Sequence, residues 1–321
     1  MSIRPQIAVI DVGSNSIKLL IATVGTSPGR IETIFAETLE TRISDGISRA
    51  LPSLSRAAMA TGLQSIEELF RLAQGYRPCE IHIVATSAVR DALNGLEFRD
   101  AVEAATGIHM RILSGPDEAR SIGHGLACDP NIKESDPFLQ MDLGGGSLEF
   151  IRFELGQLTA ATSLQLGAVR LSERFIADRN APIPASTERL IQEHVATCIA
   201  EKGLANLQQS GPLIATGGAF TVTRAILAAR AGTTLDTFSP QLSLEQIAQL
   251  KSELMALPLH ERMATPHLPA ARADIFPTAL ITIEQVMHLS GHTELTHSLY
   301  NLRYGIAAER LRSLTGASVA P

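Results

Sequence analysis

Two stretches of this chain carry the same short pattern, and few folds accommodate it twice. Residues 138–150 read FLQMDLGGGSLEF and residues 7–21 read IAVIDVGSNSIKLLI. Aligning Asp11 on Asp142 sets Gly13 on Gly144 and Ser16 on Ser147, with apolar runs on both sides. In each copy a buried strand ends near an aspartate, a glycine turn follows, and a second strand leaves. Glycine lets backbone amides come close to an anion, and carboxylate oxygens suit a divalent metal bound to phosphate. A single copy would be an ordinary hairpin. Two copies make an internal repeat and predict a paired phosphate-binding site. In the second copy Glu149 lies just inside the outgoing strand and points away from Leu148 and Phe150.

At 321 residues the chain suits two domains better than one core. Its net charge of −6 argues against a broad nucleic-acid surface, yet a focused site of backbone dipoles, metal and a few arginines can still hold a small polyanion. No apolar run is long enough to span a bilayer, and the first residues lead almost directly into a strand without a signal core. Cys79, Cys128 and Cys198 are scattered in apolar settings, which predicts a reducing compartment and no disulfide framework. The expectation is a cytoplasmic protein with no nucleic-acid and no membrane partner.

Further along, residues 54–73 and 94–106 predict amphipathic helices, and residues 80–86 and 110–113 predict strands. Residues 87–90 turn off a strand's C-terminal end, where open α/β sheets place ligands. Ser114 or Pro116 can start a helix with Asp117 and Glu118 in its first turn. Such acids alone would complement the helix dipole. This helix, however, falls where the chain passes from its first half to its second. A helix from about residue 166 sets Arg170 and Arg174 four apart, either as a solvated basic face or for phosphate steering. Residues 212–215 predict a short strand. Thr216, Gly217 and Gly218 then form a third glycine turn that opens a helix. A polar loop over 232–243, a helix over 244–256, an irregular stretch over 258–269, a helix over 270–289 and a last helix over 300–314 complete the chain.

Other chemistries fit poorly. His288, His292 and His297 are interrupted by Ser290 and Gly291 and lack the glutamate of HExxH, which disfavours zinc. Ser44, Ser87 and Ser147 sit in no G-x-S-x-G elbow. There is no Walker A sequence and no G-x-G-x-x-G opening a helix.

The repeated hairpins resemble the actin-like, RNase H-like superfamily of two-domain α/β proteins. Within it, DVGSNSIKLLI (11–21), ATSAVRDALNG (85–95), SGPDEAR (114–120), DLGGGSLEF (142–150) and LGAVRLSERF (166–175) resemble the exopolyphosphatase/guanosine pentaphosphate phosphatase (Ppx/GppA) family in its short two-domain form. ATGG (215–218), RADIFP (272–277) and LRYG (302–305) resemble it more loosely. The resemblance implies a first actin-like domain over residues 1–120 and 300–321, and a second over 121–299. It implies Mg²⁺-dependent release of terminal phosphate from inorganic polyphosphate, with pppGpp as a second substrate candidate. Glu118 matches the family's general base. Gly13, Ser14, Asn15 and Ser16 match one phosphate turn, and Gly144, Gly145, Gly146 and Ser147 the other. Arg90 matches an arginine that meets substrate, and Gly217 and Gly218 add the third turn. Asp142 and Glu149 match acids that support the metal, with Asp11 opposite. A guanosine polyphosphate-binding sensor and an actin-like ATPase or kinase remain competing expectations, and a homodimer is left open. The chain departs from the family pattern at Leu148 (usually Thr), Asp117 (usually Glu), Ser44 (usually Gly) and Tyr304 (usually an acid).

Overall fold

Every residue of the first strand, β1 (Gln6–Val12), is buried after Gln6, as a strand covered on both faces requires. It is drawn here from a computed structural model that describes residues 4–25, 30–76, 79–132, 137–154, 157–204 and 211–315. β2 (Ser16–Val24) and β3 (Ile31–Glu40) return antiparallel beside it. Ser55 caps α1 (Arg56–Gln74) by accepting the Ala58 amide, and the helix buries Ile66 and Leu69 at helical spacing. β4 (Cys79–Ala85) then pairs parallel with β1. The four-residue α2 (Ser87–Arg90) and α3 (Gly95–Thr106) follow, and Gly107 ends α3 at φ 71°. β5 (Met110–Ile112) and α4 (Gly115–Leu126) complete this run.

The repeat continues with β6 (Phe138–Leu143), β7 (Leu148–Glu154) and β8 (Gln157–Leu164). α5 (Ala168–Phe175), α6 (Ala185–Glu201), β9 (Leu213–Thr216) and α7 (Gly218–Arg230) come next. They are followed by β10 (Gln241–Ser243), α8 (Leu244–Ala256), α9 (Leu259–Met263), α10 (Phe276–Ser290), β11 (Glu294–His297) and α11 (Leu302–Thr315). One sheet has the order β3-β2-β1-β4-β5 and the other β10-β11-β9-β6-β7-β8. Read from their hairpin ends, the two run alike: β3-β2-β1-β4-β5 against β8-β7-β6-β9-β11, with parallel pairing of β1 to β4 and of β6 to β9. The repeat seen in two short motifs therefore extends to whole sheets.

Contacts divide the chain into two compact units. One is Met1–Ser135 with Gly156–Ser163 and Tyr300–Pro321, and the other is Asp136–Leu155 with Leu164–Leu299. The boundary expected after residue 120 would cut α4. The helix instead stays whole in the first unit, because glycines let it lie directly on α11. A Cβ on Gly125 would stand 2.0 Å from the Asn301 carbonyl oxygen, and one on Gly305 would stand 1.9 Å from that of Ser121. In the second unit α10 is buried along nearly its whole length. There Lys251 ties three helices together, bonding Glu188 on α6 and, at 2.5 Å, Glu284 on α10.

Local readings fail at the short elements. The loop expected over 232–243 ends in β10, and the irregular stretch over 258–269 contains α9. The helix expected from residue 270 begins at Phe276, after a 3₁₀ turn at Ala270–Arg272. The amphipathic helix that the sequence predicts over 187–207 is α6, which ends at Glu201, and residues 205–207 lie outside the described residues. Among the described residues no helix is long and apolar enough to cross a membrane.

Candidate active site

In the first unit the turn after β1 closes through the Gly13 amide, which donates to the Ser16 carbonyl at 3.1 Å. Its outer carbonyls are tied back by the following loop. Thr41 and Arg42 amides donate to the Asn15 oxygen, and the Ser44 amide to the Ser14 oxygen. The Ser14 and Asn15 amides donate to no acceptor among the described residues. That arrangement of tied carbonyls and spare donors suits an anion. Asn15 also donates to Glu40 and accepts from Arg42 Nε at 3.1 Å.

The turn is hooked to α2. Thr86 N–H donates to the Val12 oxygen, and Ser14 and Ser87 hydroxyls lie 3.0 Å apart. α2 ends in Arg90, whose Nη1 donates to the Leu113 carbonyl at 3.1 Å and to Glu118 Oε2 at 2.5 Å. The two acids at the start of α4 have separate tasks. Asp117 is exposed, accepts from Ser114 Oγ and pairs with Arg120, and these bonds hold its carboxyl below the usual range. It answers the helix terminus. Glu118 is 6% exposed and turns inward to Arg90. The hydroxyl of Ser44, where the family usually has glycine, is buried without a partner, whereas Tyr304 Oη meets Thr33 Oγ1 at 2.8 Å.

Asp11 lies at the end of β1. Burial pushes its carboxyl up, and Lys18 and Arg303 pull it down. Its Oδ1 is buried with no hydrogen-bond partner. A buried carboxylate oxygen left this way can accept from a water or take a cation.

The second unit repeats the turn. The Gly144 amide donates to the Ser147 carbonyl at 3.0 Å, and Gly145 and Gly146 amides have no acceptor among the described residues. Here α5 supplies the ties. Ala168 N–H donates to the Gly144 oxygen, Val169 N–H to that of Gly145, and Arg170 Nε to that of Gly146 at 3.0 Å. Arg170 thus braces the turn, and Arg174 rests against His194 and the Phe175 ring. A Cβ on Gly167 would lie 2.3 Å from Gly145 backbone atoms, so only glycine lets α5 come this close.

Asp142 and Glu149 are directly opposite in the β6–β7 ladder and share a face. Thr216, opposite Asp142 on β9, donates its hydroxyl to Asp142 Oδ2 at 2.5 Å and accepts from Gln140. Gly217 stands at φ 111°, and a Cβ there would meet the Leu143 oxygen at 2.8 Å. It opens α7 with no side-chain cap, which leaves helix-terminal amides for an anion. The Arg272 guanidinium lies against Gly218, 2.2 Å from where a Cβ would stand.

Among the described residues no group of three or more His, Cys, Asp or Glu side chains forms a metal cage. Mg²⁺ seldom needs one, since it takes one or two carboxylates with phosphate oxygens and waters. Within the second unit the Asp142–Glu149 pair supplies hard donors that fit such a cation, and within the first unit the Asp11 carboxylate does. The histidines do not converge. His292 bonds Ser290 and the Gly211 oxygen, and His297 is buried against Thr221 and Arg224.

The sequence singles out the two turns, Glu118 and the Thr216–Gly218 turn. Ser87, Gly167 and Arg272 lie inside the segments 85–95, 166–175 and 272–277, but no role follows for them from sequence alone, and their contacts here supply one.

Solved structures resemble this one over nearly the full length of both chains. An exopolyphosphatase from Cytophaga hutchinsonii is 25% identical with a TM-score of 0.85, covering 98% of this chain and 100% of its own. The Aquifex aeolicus member of the Ppx/GppA family is 21% identical with a TM-score of 0.76, covering 97% and 99%. These likenesses identify the two α/β sheets as the actin-like two-domain fold of such proteins. The Ppx/GppA phosphatase family profile matches residues 20–314, and the chain belongs to that family.

Proposed function

We propose that this phosphatase releases the terminal phosphate of inorganic polyphosphate, with pppGpp as a second substrate, by in-line attack of water with Glu118 as general base. The observation that carries the reading is the pair of equivalent turns, each closed from glycine to serine and each with two amides that lack an acceptor. Family membership makes the chemistry phosphate release, and the Cytophaga relative is an exopolyphosphatase. Gly13, Ser14, Asn15 and Ser16 bind phosphate oxygens in one unit, and Gly144, Gly145, Gly146 and Ser147 do so in the other. Gly217 and Gly218 add the α7 terminus, and Arg90 meets the terminal phosphate. In the second unit Asp142 and Glu149 would hold Mg²⁺, which when bound neutralises phosphate charge, and in the first unit Asp11 is the corresponding carboxylate for a metal. The Glu118 carboxylate takes the proton of the attacking water as its oxygen bonds to phosphorus, and the bridging oxygen leaves with the rest of the chain. Cys79, Cys128 and Cys198 are free thiols, which suits a reducing cytoplasm.

The test is phosphate release from tripolyphosphate, long polyphosphate, pppGpp and ATP, with and without Mg²⁺. Metal-dependent release from the polyphosphates is expected. Binding of pppGpp with no release from any substrate would favour a sensor, and release from ATP alone would favour an ATPase.

A further inference from the structure

The base and the arginine assigned to substrate already hold each other. Arg90 Nη1 and Glu118 Oε2 are 2.5 Å apart, with the side chains 20% and 8% exposed. The same nitrogen donates to the Leu113 carbonyl, and Arg90 Nε lies 3.4 Å from Asp91. A carboxylate that receives a guanidinium bond is stabilised in its charged form and turned away from water, so it is a poor proton acceptor. Bare, the same buried carboxylate would repel an incoming phosphate.

We propose that Arg90 latches Glu118 in the free enzyme and that a terminal phosphate opens the latch by taking over the guanidinium. This rests on Glu118 being the base. Guanidinium matches phosphate as well as carboxylate, and a terminal phosphate offers more charge than one carboxylate. An internal phosphate of the chain carries one charge and competes less. The exchange therefore couples base release to the end of a chain and contributes to exo-cleavage. Arg90 does not leave the site when it lets go of Glu118, because α2 is pinned to the phosphate turn by Ser14–Ser87 and by Thr86 on Val12.

The coupling can be read from binding alone. The probe is imidodiphosphate, whose P–N–P bridge resists hydrolysis, titrated calorimetrically into the intact protein with Mg²⁺. Glu118→Gln should bind it more tightly than wild type, on the order of tenfold, because phosphate no longer competes for Arg90. In an Arg90→Met background, where only the repulsion is relieved, the same Glu118→Gln change should tighten binding several-fold less than it does beside Arg90. Equal tightening in both backgrounds would mean plain charge repulsion, and unchanged or weaker binding by Glu118→Gln alone would mean no latch. Either result overturns the proposal. If Arg90→Met does not fold, Arg90→Gln carries the same expectation. Turnover of Glu118→Gln separates the two ideas: tightening with near-normal turnover keeps the latch and removes Glu118 as base.

Discussion

The two glycine turns have the same hydrogen-bonded closure and different braces. In the first unit the brace is polar side chains and a strained loop. Asn15 is held by Glu40 and Arg42, Ser14 by Ser87, and Arg42 takes φ 41° although it is not glycine. Such backbone costs on the order of 1–3 kcal/mol and survives where its surroundings over-determine it. In the second unit the brace is close packing of glycines under α5, with Gly167 against Gly145. The acids differ too. Asp11 is buried beside the charges of Lys18 and Arg303, whereas Asp142 is partly exposed and oriented by Thr216. One turn is held by polar side chains of its own loop and the other by an abutting helix, through its amides, Arg170 and close glycine packing, so substitutions that break one should spare the other.

The largest expected effect is confined to the first unit, which carries the proposed base. Glu118→Gln keeps the side chain's shape but cannot take a proton, and kcat should fall roughly 10²–10⁴-fold. Single-turnover phosphate release measures this, and a loss of only a few-fold would remove Glu118 from the chemistry. The second unit should instead govern metal demand. Asp142→Asn leaves an amide where a hard cation wants a carboxylate, and the Mg²⁺ concentration for half-maximal rate should rise at least about tenfold. Thr216→Val, which frees Asp142 to turn, should move it the same way by less. An unchanged metal titration in Asp142→Asn would remove Asp142 as a metal ligand.

Why one half of this site was legible and the rest was not follows from the range of the contacts. Asp11, Gly13 and Ser16 against Asp142, Gly144 and Ser147 is a local pattern, and local patterns survive in sequence. Glu118 stood out from Asp117 only through a family motif, since both acids suit a helix start. The structure separates them by exposure: Glu118 turns in to Arg90, twenty-eight residues away in sequence, while Asp117 stays with Ser114 and Arg120. Thr216 reaches Asp142 across 74 residues, and no short window holds that pair. β10 and β11, three and four residues long, were invisible for a related reason. Their strand character comes from their neighbours in the sheet, and three polar-flanked residues carry no period.

Shape bracing predicts a specific intolerance. Gly167→Ala would put a Cβ 2.3 Å from Gly145 backbone atoms, and backbone cannot swing aside. It should cost about 1–3 kcal/mol, read from urea midpoints. Gly144→Ala meets only the Ser147 oxygen at 3.5 Å, an ordinary contact, and its stability should change by about 0.5 kcal/mol or less. In the side-chain-braced turn Gly13→Ala meets the Ser16 oxygen at 3.0 Å and should fall between them. Equal costs for Gly167→Ala and Gly144→Ala would show that α5 can move away from the turn, and the contrast between the braces would then be lost.

The smallest effect separates the units by pH. β11 occupies in its sheet the place that β5 holds in the other, but β11 ends in the buried His297 and β5 carries no histidine. Burial, then the Arg224 charge, lower the His297 pKa to about 3. Nδ1 accepts from Arg224 Nη1 at 3.2 Å, so the neutral ring carries its proton on Nε2 toward Thr221. Above about pH 6.5 the ring is neutral in folded and unfolded chains, and it adds no pH dependence. Between about 6.5 and 3 the unfolded chain binds the proton and the folded one does not. Stability should therefore fall with acid by up to roughly 1.4 kcal/mol per pH unit. His82 and His124 of the first unit are lowered by burial as well, but both are partly exposed and should contribute less. The difference in unfolding free energy between wild type and His297→Gln, followed from pH 7.5 to 4.5, isolates this group. It should be flat above pH 7 and move steadily against wild type below 6.5. Amide exchange should show β9 and β11 loosening in acid before β1 and β4. A difference that stays flat throughout would mean that His297 takes its proton in the folded chain, and the acid sensitivity of the second unit would then need another source.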